Sequence, residues 1–288
     1  MRKGMVFVLT LALAFSAAAQ QEVKQITFGG KQDRDPMVSP DGRHLAFSSD
    51  RTGNYDLYVH TFGEAGVLQL TRSPKDDRDP NWSPDSKTLV FTSKRTGKGD
   101  LYKTDRDGQS GYLQLSDRED LEEYPSFAPR GDALLFVRSP KKVIRKQSDK
   151  EVAIADSAGS VNTARALGEG YSARFSPDGK KIVFVSRRTK NADIWLMNAD
   201  GGMQTQLTSQ DKNDEDPCFS PDGKHIVFSS DRTGNADIWV MQADGGDQRQ
   251  LTSGAEDEFQ PCWSSGGYIY FVKKLDSGAT NIFRIKAP

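Results

Sequence analysis

The chain has 288 residues, with 39 Lys and Arg against 40 Asp and Glu and a net charge of −1. Near-balanced charge excludes a general nucleic-acid binder, because phosphate recognition requires a basic footprint. Two cysteines are few for an exported chain, so a disulfide framework is not what holds it together.

Residues 1–19 read as a secretory signal peptide: Arg2 and Lys3, an apolar run from Met5 to Phe15, then Ala17-Ala18-Ala19. The run is too short to cross a bilayer, which takes roughly 20 apolar residues. With no Cys beside the cleavage site, a soluble chain starting near Gln20 is expected, in the periplasm or the medium. Its removal takes away Arg2 and Lys3, leaving 37 basic residues against 40 acidic ones.

From there the chain repeats. Ser39, Ser83, Ser220 and Ser264 each follow by twelve residues the Thr of a Leu/Ile-Thr pair (Thr27, Thr71, Thr208, Thr252), and Ala128 follows Ser116 likewise. With Ser176 included, successive anchors lie 44, 45, 48, 44 and 44 residues apart. A period in the forties built of β-type segments predicts a propeller with one four-stranded blade per repeat, and six anchors predict six blades. The repeat leaves no room for a linker, so residues 20–288 are read as one all-β domain.

In the fifth repeat the expected first strand is Asp216 to Ser220, closed by the turn Ser220-Pro221-Asp222-Gly223. Lys224 to Ser229 is the second strand, Asp237 to Met241 the third and Gln248 to Thr252 the outer one. The bulky residue before each anchor (Val38, Trp82, Phe127, Phe175, Phe219, Trp263) is expected to pack between blades. The last repeat ends after its third strand, and Val23 to Thr27 matches the missing outer one, so the two ends should close the ring. Cys218 and Cys262 fall at equivalent first-strand sites of neighbouring blades. Two buried thiols are expected, with a bridge as the alternative if the Cα atoms approach within about 7 Å.

The pattern Asp-Pro-x-x-Ser-Pro-Asp-Gly, Phe-Ser-Ser-Asp-Arg-Thr-Gly-Asn-x-Asp, Gln-Leu-Thr, nearly complete in Asp35 to Thr71 and Asp216 to Thr252, resembles the repeat of the TolB-type, WD-like propellers. The resemblance covers the whole chain after the leader. It implies a six-bladed, exported binding scaffold, and as partner an envelope protein or peptide such as a peptidoglycan-associated lipoprotein. TolB itself has an α/β domain ahead of its propeller, and no such segment is expected here.

Acids recur before the anchors: Asp33, Asp77, Glu122, Asp214 and Glu258 six residues ahead, and Asp35, Asp79 and Asp216 four ahead. Arg51, Arg95, Arg188 and Arg232 occupy equivalent sites in the loops between second and third strands. These residues either pair and hold loops in place or form a carboxylate ring at one channel mouth that attracts a cation such as Ca²⁺ or a basic partner segment. The third repeat departs from the pattern. Its loop Arg138 to Lys150 is eight residues longer than the others and carries six basic residues, among them Lys141, Lys142, Arg145 and Lys146. The next loop is four shorter and presents Tyr171. Together they read either as solvated length variation or as a contact for an acidic partner.

Chemistry-bearing motifs are weak. There is no Gly-x-Ser-x-Gly elbow, no paired His at metal spacing and no phosphate-cradling loop, and His44, His60 and His225 fall in or near strands. The expected function is that of a monomeric, non-enzymatic binding module without a required cofactor; the alternative is a Ca²⁺-dependent, lactonase-like hydrolase or lyase at the channel mouth.

Overall fold

Alternating apolar segments and Gly/Pro/Asp turns divide this chain into short antiparallel strands, because each turn reverses the backbone before a helix can be nucleated. The computed structural model describes residues 22–29, 31–140, 150–156 and 158–288. The expected leader and Lys141, Lys142, Arg145 and Lys146 lie outside them.

Strand β1 is Lys24–Gln25. Blade one follows as β2 (Asp33–Val38), β3 (His44–Ser49), β4 (Asp56–Thr61) and β5 (Leu68–Gln69). Blade two is β6 (Asp77–Trp82), β7 (Thr88–Ser93), β8 (Asp100–Asp105) and β9 (Leu113–Gln114). Blade three is β10 (Leu121–Phe127), β11 (Leu134–Ser139), β12 (Glu151–Ala155) and β13 (Arg165–Glu169), with a short 3-10 helix at Ala158–Thr163 before its last strand. Blade four is β14 (Tyr171–Phe175), β15 (Lys181–Ser186), β16 (Asp193–Asn198) and β17 (Thr205–Gln206). Blade five is β18 (Asp214–Phe219), β19 (His225–Ser230), β20 (Asp237–Gln242) and β21 (Arg249–Gln250). Blade six is β22 (Glu258–Trp263), β23 (Tyr268–Lys274) and β24 (Thr280–Lys286). The outer place in blade six is taken by β1, antiparallel to β24 with Lys24 opposite Arg284 and Gln25 opposite Phe283. Six four-stranded sheets and closure by the two ends match the sequence expectation.

The core lies between blades. One phenylalanine of each second strand (Phe47, Phe91, Phe136, Phe184, Phe228, Phe271) is fully buried. Apolar clusters straddle the joints: Ala46 and Leu57 of blade one pack with Trp82 and Phe91 of blade two, and Phe47 and Tyr58 pack with Cys262 and Tyr270 of blade six. A second strand is covered on both faces, so Leu45, Ala46 and Phe47 are buried in succession rather than alternately.

The polar residues of the repeat form its internal wiring. The outer-strand hydroxyl accepts the N–H of the third strand: Thr71 from Leu57, Ser116 from Leu101, Thr208 from Ile194, Thr252 from Ile238 and Thr27 from Ile282, each at 2.9 Å. Asp56 accepts from Thr52 and from Gln69, and Asp237 from Thr233 and Gln250, tying turn, third strand and outer strand together. Ser39, Ser83, Ser176 and Ser220 do the same for their turns: Ser220 Oγ donates to Asp222 at 2.6 Å and accepts from His225 N at 2.9 Å. Replacing Thr208 by Val should strand the buried Ile194 N–H and cost about 1–3 kcal/mol, read as a lower urea midpoint; Thr208→Ser should hold most of the stability.

Candidate functional site

Every first strand breaks its register with β3, β7, β11, β15, β19 or β23 at the same place, between Arg34 and Met37, Arg78 and Asn81, Glu123 and Ser126, Tyr171 and Arg174, Glu215 and Cys218, and Phe259 and Cys262. The residue inside each break has positive φ: Asp35 (55°), Asp79 (54°), Tyr124 (54°), Ser172 (49°), Asp216 (53°) and Gln260 (52°). A bulge of this kind re-aims one side chain, here into the central channel. In five blades a proline follows, which an edge strand tolerates because its N–H has no ladder partner.

Two cavities lie along the axis. The narrower, of about 50 Å³, is lined by the six bulge residues with Arg174 and Met37. The wider, of about 360 Å³, opens at the end formed by the Ser-Pro turns. Pro40, Pro84, Pro129, Pro177 and Pro221 ring it, and Trp82, Phe127, Phe175 and Phe219 supply its apolar wall. Trp82 is fixed there by its Nε1–H, which donates to Met37 O at 2.9 Å. Arg174 borders both cavities.

This arrangement separates the acids that the sequence grouped into one ring. Asp33, Asp77 and Asp214 are buried inside their blades, where Arg51, Arg95 and Arg232 donate to them at 3.0, 3.1 and 2.8 Å. Each arginine also donates to the serine two residues before it and lies over a third-strand aromatic ring, as Arg232 does over Trp239 at 4.5 Å. Glu258 takes Lys273 at 3.0 Å in the same role. In blade four the acid is replaced by Gly170, where a Cβ would come within 2.6 Å of Phe184, and Arg188 donates instead to Gln204 and to Glu169 O. Glu122 is buried with neither carboxylate oxygen hydrogen-bonded. The acids six residues before the anchors and the facing arginines are therefore structural pairs or internal groups, and only Asp35, Asp79 and Asp216 reach the channel.

Within the channel the carboxylates are held by neighbours. Gln260 and Asp35 exchange two hydrogen bonds across the joint of blades six and one, at 2.6 and 3.1 Å. Thr92 donates to Asp79 at 2.8 Å, and Ser172 to Asp216 at 3.3 Å. Burial, with the charges of Asp35 and Glu123 beside it, pushes Asp79 up to about 7. Burial likewise raises Asp216, with Asp35 adding to the effect. Among the described residues no group of three His, Cys, Asp or Glu converges that could hold a metal ion. Tyr171 is buried rather than presented: its hydroxyl donates to Glu215 at 2.8 Å and accepts from Arg187 at 3.1 Å. Neither cavity is lined by histidine; His44 lies tilted beside Trp82 and His225 stacks on Trp263, both with centroids 6.0 Å apart. Cys218 and Cys262 are both free.

Arg232→Met should leave Asp214 charged and buried without a partner, lowering stability by about 3–5 kcal/mol in denaturant melts. Glu122 gives a pH signature. Burial raises its carboxyl to about 7 from an ordinary 4.5, so its stabilising protonated form is complete below the ordinary value and lost as pH rises through about 7. The stability difference between Glu122→Gln and the unaltered chain should shift in the variant's favour by about 1–3 kcal/mol between pH 5 and 8.

A model of the TolB beta propeller domain matches residues 15–170 and 146–287. The chain belongs to the TolB β-propeller family. No curated protein matches it in sequence. Among solved structures of the family it is similar to a putative TolB from Agrobacterium tumefaciens, with a TM-score of 0.68 and 21% identity over 93% of this chain and 91% of that one. It is similar to TolB from Acinetobacter baumannii at the same TM-score and identity, covering 81% of this chain but 57% of that protein's length. An oligogalacturonate lyase from Vibrio parahaemolyticus shares the fold outside the TolB group, with a TM-score of 0.64 and 12% identity over 94% of this chain and 95% of that one. At these identities the likeness to solved structures is one of fold.

Two features escaped the sequence reading: the open mouth at the Ser-Pro end, and Arg174. The Pro following Asp inside a first strand was the available signal for the bulge.

Proposed function

We propose that this chain is an exported, non-enzymatic scaffold of the bacterial cell envelope that seats a protein or peptide segment in the apolar mouth at the Ser-Pro end of the channel. The mouth itself carries this reading: an open cavity of about 360 Å³ walled by proline and aromatic side chains on a rigid ring. Rigid apolar walls with few polar groups suit a partner that brings its own apolar anchor. Membership of the TolB β-propeller family supports a scaffold of this kind, and the basic, apolar and small-residue order of residues 2–19 supports export. A peptidoglycan-associated lipoprotein is the partner that the family resemblance favours.

Phe127 and Phe175 are half-buried at the mouth and also pack against the apolar clusters of the joints, so they are best shortened to another apolar residue rather than made polar. A Phe127→Leu, Phe175→Leu variant should stay folded in thermal melts and bind the lipoprotein at least about tenfold more weakly, because two aromatic anchors are lost. Unchanged affinity would remove the mouth from the reading. Turnover of oligogalacturonate or an aromatic lactone by the purified chain would replace the scaffold with an enzyme.

A further inference from the structure

At the position two residues before each anchor, four blades place uncharged side chains on the channel, Met37, Asn81, Ser126 and Cys218, and blade six has Cys262, buried in a joint. Blade four places Arg174 there. Arg51, Arg95, Arg187 and Arg232, which follow the second strands, each form an ion pair, and the first-strand arginines Arg34 and Arg78 lie over the rings of Phe259 and Tyr55. Arg174 forms no hydrogen bond or ion pair among the described residues, and its Nη1 is buried without an acceptor. A buried guanidinium N–H left unpaired is unfavourable, and an incoming oxygen relieves it.

Resting on the reading of the mouth as a peptide seat, we infer that Arg174 is its anchor and takes the C-terminal carboxylate of a peptide whose last apolar residues fill the proline-ringed cavity. Arg174 stands where the mouth meets the narrower cavity. Beyond it the cavity narrows to about 50 Å³ and is lined by Asp35, Asp79 and Asp216, which offer a carboxylate no further cation. The planar guanidinium matches a carboxylate with two parallel hydrogen bonds. Asn81 can add a donor, since its Oδ1 already accepts from Phe127 N at 3.0 Å, leaving the NH₂ group available. A cavity of about 360 Å³ is at the small end of ligand sites and admits one chain end more readily than the two passes of a loop.

The probe is a pool of hexapeptides, labelled at the N-terminus with fluorescein and ending in two apolar residues, prepared as free acids and as C-terminal amides. Fluorescence anisotropy is read against the whole chain. The free acids should bind at least about tenfold tighter than the amides, the scale of a charge-assisted hydrogen bond. Arg174→Gln should bring the two forms to equal affinity, and Arg174→Lys should restore part of the difference; thermal melts show whether each variant is folded. Equal binding of acids and amides to the unaltered chain, or a preference that survives Arg174→Gln, overturns the anchor while leaving the scaffold intact. So does an amidated peptide with an internal Glu that binds as tightly as the free acids. Absence of binding by either form overturns the anchor too, and the Phe127 and Phe175 variant then decides separately whether the mouth seats a folded partner.

Discussion

A blade of this protein has two apolar faces and can hide either one only against another blade. Phe47, Phe91, Phe136, Phe184, Phe228 and Phe271 are buried for that reason alone, each in a joint rather than in a central core. Such stacking has no natural end, and an incomplete ring would leave two whole sheet faces in water. Pairing β1 with β24 answers this by making the last blade of both chain ends, so that blade six is complete only with the N-terminal strand. The ring's stability and the shape of its channel therefore rest on the same condition, that all six joints close.

Charge serves that condition as well. Arg51, Arg95 and Arg232 lie flat on third-strand rings and donate inward to Asp33, Asp77 and Asp214, so ionised groups become part of the packing. Pairs this buried hold their geometry strongly once formed, because parting them strands a charge. What remains for binding is what the wiring leaves over: the apolar Ser-Pro end and the few polar groups that the bulges turn toward the axis.

Much of this was legible in the chain. Ser-Pro-Asp-Gly and Gln-Leu-Thr recur because a turn and an outer-strand hydroxyl are required once per blade, so the period exposes blade number and closure together. The channel was less legible. Asp33 and Asp35 are two apart, and in an uninterrupted strand they would share a face. The bulge at Asp35 breaks that parity, leaving Asp33 inside the blade with Arg51 and turning Asp35 to the axis. Counting residues cannot show an interruption of register, so pairing and a channel-mouth ring stayed open for all the acids together, where the structure has two separate sets. Tyr171 was similarly misplaced, since a short loop suggests exposure while Arg187 and Glu215 hold its hydroxyl inside.

The six bulges give the family an unusual freedom. Asp35, Asp79, Tyr124, Ser172, Asp216 and Gln260 differ in size, charge and hydrogen-bonding capacity, yet all hold the same backbone conformation. Their side chains stand outside the ladder that aligns the strands, so exchanging one alters the lining without disturbing its frame. The hub of the wheel can thus drift chemically while the spokes stay fixed, and one scaffold can be retuned to unrelated guests a single position at a time.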